Sequence, residues 1–160
     1  LRGSLPNQSY FDEEKLIFFN NTKMKKLKGT SLLFVNGKRE VLLFLRDNIS
    51  TIRYPGCWDI LGGHMEEGES PEETITREME EEIGLKVKDL TLFNIYDLKD
   101  RLEHTFWKKA DFKIEEINLM EGQKLKWFSE TEVRNIPEDK IAFDFKLIIL
   151  EFFEKKPFEE

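Results

Sequence analysis

Residues 69–85 read ESPEETITREMEEEIGL, and few stretches of this length leave a chain so little choice of structure. Ser70 is a helix N-cap, Pro71 fits the first helical position, and Glu73 stands three residues after the cap to complete a capping box. Gly84 supplies the left-handed residue that ends a helix. The spacing therefore predicts a helix over 71–83. On it Ile75, Met79 and Ile83 form an apolar stripe, while Glu78, Glu81 and Glu82 stand at i, i+3 and i+4 on a neighbouring face. The apolar stripe anchors the helix on a sheet, which leaves the carboxylates at the rim of a cleft.

Like charges so spaced oppose helix formation by roughly 0.2 to 0.5 kcal/mol per pair, and partial burial raises their pKa values. A divalent cation is the natural compensation, and hard oxygen donors select Mg²⁺, with Mn²⁺ as the alternative. A charge run is usually a solvated helix face, and Glu66, Glu67, Glu72, Glu73 and Glu80 are read that way. The coincidence of the carboxylate spacing with Gly62-Gly63, the cap and Gly84 favours a site for the rest.

Residues 63–85 resemble the Nudix box, G-x5-E-x7-R-E-U-x-E-E-x-G-U with U a bulky aliphatic. Gly63, Glu69, Arg77, Glu78, Glu81, Glu82 and Gly84 fill its fixed positions, and Met79 and Leu85 its aliphatic ones. The chain is similar to MutT-like members of the Nudix hydrolase family. The resemblance implies that Glu78, Glu81 and Glu82 bind metal or position water, with the Gly62 carbonyl as a further metal ligand. It implies that Glu69, Arg77 and Gly84 fix the loop-helix geometry and that Gly63 lies against substrate. It also implies a further catalytic glutamate from a loop, for which Glu121, in Glu121-Gly122-Gln123 ahead of Trp127, is chosen over Glu103, Glu115 and Glu116. Arg46 resembles a family arginine that grips phosphate, a task suited to its planar donor fork. Leu61 stands where many relatives have proline.

Elsewhere, Asn36-Gly37 between two aliphatic runs predicts a hairpin with strands about 29–35 and 40–46. Trp58 to Leu61 is a short strand whose direction should change at Gly62-Gly63. Val87 to Tyr96, Leu102 to Phe112 and Lys124 to Phe128 follow as strands, then a helical turn at Glu130 to Asn135 and a closing amphipathic helix from Asp139 to Glu154. This irregular interleaving predicts an α+β fold, a mixed β-sheet with helices on both faces, which the resemblance sharpens to a Nudix-type α/β/α sandwich. Residues 28–156 are expected to form one domain. Residues 1–27 are an extension with an apolar patch at Leu16 to Phe19, a further strand or helix, and 1–4 read like a cloning remnant.

With 39% hydrophobic residues and fourteen phenylalanines, 160 residues can bury a core. A net charge of −7 argues against a DNA-binding surface. The single cysteine, Cys57, excludes an internal disulfide, and no apolar run is long enough to span a bilayer. A soluble, cytoplasmic monomer or homodimer is expected. Trp58, Phe106 and Trp107 are read as core aromatics, with base stacking as the alternative, and His64 and His104 as incidental.

The resemblance implies Mg²⁺-dependent attack of water on a nucleoside diphosphate linked to a further group, a nucleoside triphosphate being the first choice. Two alternatives stand beside it: an isopentenyl diphosphate isomerase-like enzyme, for which Cys57 would serve, and a non-catalytic nucleotide-sensing module.

Overall fold

The computed structural model describes residues 25–160; the expectation for Leu16 to Phe19 and the cloning remnant lie outside them. Seven strands form one mixed sheet. Its spine is β1 (Leu27–Val35), parallel to β6 (Arg101–Lys109) over nine residue pairs, and β6 is antiparallel to β5 (Thr91–Asp97). The other edge of β1 is shared. Val35 pairs with Val41 at the start of β2 (Val41–Leu45), whereas Gly29 to Leu32 pair with β4 (Leu61–His64). β2 leaves β1 to pair with β3 (Trp58–Asp59) and with β7 (Lys124–Phe128). A cleft opens where β2 and β4 diverge.

The aliphatic runs of β1 and β2 follow from burial on both faces. Leu32, Phe34, Leu42 and Phe44 pack under α1 (Pro71–Ile83) with Ile75, Met79 and Ile83. Leu33, Val35, Val41 and Leu43 face the other way, against α2 (Glu130–Asn135) and α3 (Phe145–Lys155) through Val133, Ile148, Ile149 and Phe152. The mixed sheet with helices on both faces is as anticipated.

Helix α1 has the predicted bounds, with the reciprocal Ser70–Glu73 capping box and a left-handed Gly84. Other details differ. The hairpin loop spans residues 36–40, and Arg39 rather than Gly37 takes the positive φ of 62°. The Asn36 side chain accepts from the Lys38 and Glu40 N–H groups, which stabilises this wider turn. Gly62 and Gly63 continue β4 instead of turning the chain; the break comes at Ile60, where the chain stops pairing with β2 and begins pairing with β1. Residues 87–90 do not join β5, since Asp89 is left-handed at φ 54°. Phe112 leaves β6 to meet the edge of Phe34 at 5.0 Å. The closing helix is divided: Glu138–Lys140 form a 3-10 turn, Ile141 bridges to Trp58, and Phe143 is left-handed at φ 55° before α3 begins. Among the described residues no helix is long and apolar enough to cross a membrane.

Candidate active site

The C-terminal half of α1 is held against β4 by an arginine that looks both ways. Arg77 donates from Nε to Glu69 Oε1 at 2.6 Å and from Nη2 to Glu69 Oε2 at 3.0 Å, so the pair is bidentate. The same guanidinium reaches Glu78 Oε1 at 2.9 Å, Glu81 Oε2 at 3.2 Å and the His64 carbonyl at 3.2 Å. Glu69 also accepts from the Glu66 N–H and the Thr74 hydroxyl. Chiefly the Arg77 hydrogen bonds hold the Glu69 carboxyl down at about 2. This clasp fastens the loop before α1 to the helix.

The carboxylates descend from solvent into the cleft. Glu81 is exposed, Glu78 has 14% of its side chain accessible, and Glu82 is 4% exposed with Oε2 accepting the Gly62 N–H at 3.2 Å. Burial, then the charges of Glu78 and Glu121, push the Glu82 carboxyl up to about 9; burial also raises Glu78. Gly63 is tight against this wall, because a Cβ there would meet the Glu78 carboxylate at 2.2 to 2.6 Å. Glu121 arrives on a loop pinned at both ends: the Met120 N–H donates to the Glu82 carbonyl at 2.8 Å and the Gln123 N–H to the Leu45 carbonyl at 2.7 Å. Gly122, at φ 81°, permits that approach.

The opposite wall carries arginines. Arg46, at the end of β2, donates to Asp59 Oδ2 at 2.7 Å and to the Arg53 carbonyl at 3.0 Å. Asp59 is buried, and desolvation lifts it to about 6 against the pull of Arg46. Arg101 and Glu103 project from the same face of β6, and Phe143 covers the Arg101 guanidinium with 4.0 Å between Cζ and the ring centre. The cleft between the walls has a volume of about 850 Å³.

Of the residues singled out in the sequence, Arg46, Gly62, Gly63, Arg77, Glu78, Glu81, Glu82 and Glu121 all line this cleft. Glu69 stands behind Arg77, and Gly84 caps the helix. Of the rivals to Glu121, Glu115 and Glu116 sit in a 3-10 turn away from the cleft, and Glu103 belongs to its far wall. Phe106 is core, Trp58 packs edge-on against Phe128, and Trp107 packs on Phe152. His64, read as incidental, does line the cleft. Cys57 does not; its Sγ faces the Pro55 and Asp139 carbonyls, which removes the basis for an isomerase that would use it. Asp59, Arg53, Arg101 and Phe143 were missed, although a carboxylate inside the apolar run Trp58-Asp59-Ile60-Leu61 was a legible sign.

Among the described residues no three His, Cys, Asp or Glu side chains form a finished metal cage. Glu78 and Glu81 are turned onto Arg77, and Glu82 onto Gly62. The donor set nonetheless suits a hard divalent cation: carboxylate oxygens, among them those of Glu82, buried without a cationic partner among the described residues and driven toward protonation first by that burial and then by the charges of Glu78 and Glu121.

The NUDIX domain family matches residues 25–149. An ADP-ribose pyrophosphatase of Methanocaldococcus jannaschii is 32% identical over 119 residues, 73% of this chain and 68% of that enzyme. The human diphosphoinositol polyphosphate phosphohydrolase 2 is 40% identical over 115 residues, 64% of this chain and 57% of the relative's length. The crystal structure of a MutT protein from Methanosarcina mazei superposes with a TM-score of 0.63 at 22% identity, covering 82% of this chain and 95% of that one.

Proposed function

The chain belongs to the Nudix family, and from that premise we propose that it is a hydrolase of nucleoside diphosphates linked to a further group, with nucleoside triphosphates as the first substrates to test. The observation that carries this reading is the pairing of walls: four carboxylates, Glu78, Glu81, Glu82 and Glu121, face a cleft whose other side holds Arg46, Arg53 and Arg101. A diphosphate needs both, cations to neutralise its oxygens and a second anionic shell to gather more cations around it.

Glu78, Glu81, Glu82 and the Gly62 carbonyl would hold Mg²⁺, which when bound supplies Lewis-acid neutralisation of phosphate charge. Arg77 sets the rotamers of Glu78 and Glu81, while the Gly62 N–H orients Glu82. Glu121 comes from a separate element and has no hydrogen-bonded cation among the described residues. It is the carboxylate left to take a proton from attacking water. Arg46 and Arg53 would meet the phosphates from the far side, Arg46 being held in place by Asp59.

The relatives act on ADP-ribose and on diphosphoinositol polyphosphates according to their names, so both belong in the screen. Product analysis with Mg²⁺ across nucleoside triphosphates, ADP-ribose, dinucleoside polyphosphates, capped RNA and a diphosphoinositol polyphosphate tests the proposal. Expected is metal-dependent release of a nucleoside monophosphate, abolished in Glu82→Gln. Absence of turnover on every nucleotide, or full activity in Glu82→Gln, would overturn it. The non-catalytic sensor reading predicts binding without turnover in the same screen.

A further inference from the structure

The loop that carries Glu121 is fastened to both walls of the cleft. Its first attachment is to α1, where the Met120 N–H donates to the Glu82 carbonyl at 2.8 Å. Its second is to β2, and two bonds make it. One is the Gln123 N–H to the Leu45 carbonyl at 2.7 Å. The other is a side chain standing in for a strand: Gln123 Nε2 donates to the Arg46 carbonyl at 2.7 Å, one residue beyond Leu45–Lys124, where the β2–β7 ladder ends. Arg46 is otherwise tied to its own wall. Its N–H donates to the Cys57 carbonyl, its Nε to the Arg53 carbonyl and its Nη1 to Asp59. Residues 120–123 therefore strap the carboxylate wall to the arginine wall, with Glu121 between the two attachments. The strap lies close on β2, since a Cβ on Gly122 would come within 2.7 Å of the Leu45 carbonyl oxygen and of Phe44 Cδ2. Gln123 itself is exposed and adds nothing to the core, so what its side chain contributes is one directed bond.

We propose that Gln123 is a positioning residue: by holding the Arg46 carbonyl it fixes where the Glu121 carboxylate stands relative to the arginines that meet the phosphates. The inference rests on the hydrolase reading of the cleft and deepens it. A base must lie within hydrogen-bond reach of the water whose proton it takes, and that water must be aligned with a phosphorus atom whose place the opposite wall sets. Glu78 and Glu81 are oriented by Arg77, whereas Glu121 owes its place to the attachments of its loop.

Gln123→Met keeps the length of the side chain and removes the donor. With Mg²⁺, on ATP and on ADP-ribose, it should lower kcat by roughly ten-fold or more, with KM little changed because Asp59 still holds the Arg46 guanidinium. In a Glu121→Gln background the same substitution should have no further effect, since the group it misplaces is already gone. A glutamine that merely supports the fold would lower the rate by the same factor in both backgrounds, and that result overturns the proposal, as does a wild-type kcat in Gln123→Met. Amide hydrogen exchange reads the strap without turnover. In Gln123→Met the N–H groups of residues 120 and 123 should lose protection while those of α1 keep theirs, and unchanged exchange at both positions also overturns the proposal. A wild-type protein that cleaves neither compound, with the exchange difference present, would count against the hydrolase reading and leave the strap standing.

Discussion

Glu82 and Glu69 belong to the same short stretch of sequence, yet the structure drives their carboxyl groups in opposite directions. Glu82 is buried beside other carboxylates and rises from 4.5 to about 9. The folded protein therefore holds that proton more tightly than the unfolded chain. The resulting stability is full below pH 4.5 and is lost as pH climbs toward 9. Glu82→Gln removes this dependence, so in EDTA at pH 8 the variant should melt above the wild type. Added Mg²⁺ should raise the melting temperature of the wild type alone, and turnover of the variant should fall by at least roughly a hundred-fold. Glu69 falls from 4.5 to about 2, so it contributes stability above pH 4.5 that disappears as pH drops to 2. Melting curves between these values should slope less steeply in Glu69→Gln than in the wild type, and identical slopes would deny the clasp with Arg77 a thermodynamic role. These residues were legible because one turn and a half of helix fixes their relation through spacing alone. Arg101 and Phe143 were not, and Glu103 was read only as a rival to Glu121, since these residues join Asp59 and Arg46 in the cleft only after β6 is laid beside β1 and the chain after Ile141 folds back over them.

Among the elements, α1 and β7 could be read with their boundaries because cap, stripe and terminator all lie within a few residues. The hairpin and β4 could not be read so closely. Asn36-Gly37 carries the usual two-residue turn signal, but side-chain acceptance by Asn36 and the left-handed Arg39 win. The glycine pair looks like a bend, yet its lack of side chains serves close packing within a strand. The two glycines do different things there. A Cβ on Gly62 would stand 2.0 Å from the Thr30 carbonyl and 2.8 Å from Ser31 Cα, both backbone. The three atoms nearest a Cβ on Gly63 would all belong to the Glu78 carboxylate, the free end of a side chain. Gly62→Ala should therefore separate β4 from β1 and unfold at markedly lower urea, by about 1 to 3 kcal/mol. Gly63→Ala should keep most of its stability while losing activity, because Glu78 has to leave its place. Urea denaturation paired with turnover measures both, and a Gly63→Ala enzyme of normal rate would show that the position of Glu78 is immaterial.

At the scale of the whole molecule, one sheet separates two apolar clusters, and only one of them lies under the helix that carries the carboxylates. Met79 is fully buried between α1 and the sheet, and Phe152 fully buried between α3 and the other face, where it meets Phe93 edge-on at 5.2 Å. Truncating either to alanine should cost about 2 to 5 kcal/mol through lost contacts and a residual cavity. Stability alone cannot distinguish the two sides; the response to metal can. Met79 is the residue after Glu78 and sits one turn before Ile83, so a cavity there lets α1 settle and shifts Glu78, Glu81 and Glu82 relative to β4. Phe152 touches none of the elements that carry those carboxylates. Met79→Ala should raise the Mg²⁺ concentration needed for half-maximal turnover several-fold, and Phe152→Ala should leave it unchanged although the protein melts at a similarly reduced temperature. Equal shifts in both variants would mean that the sheet transmits disorder from one core to the other and that the carboxylate wall depends on the whole molecule. A shift in neither would mean that the Arg77 clasp holds the wall without help from the packing beneath it.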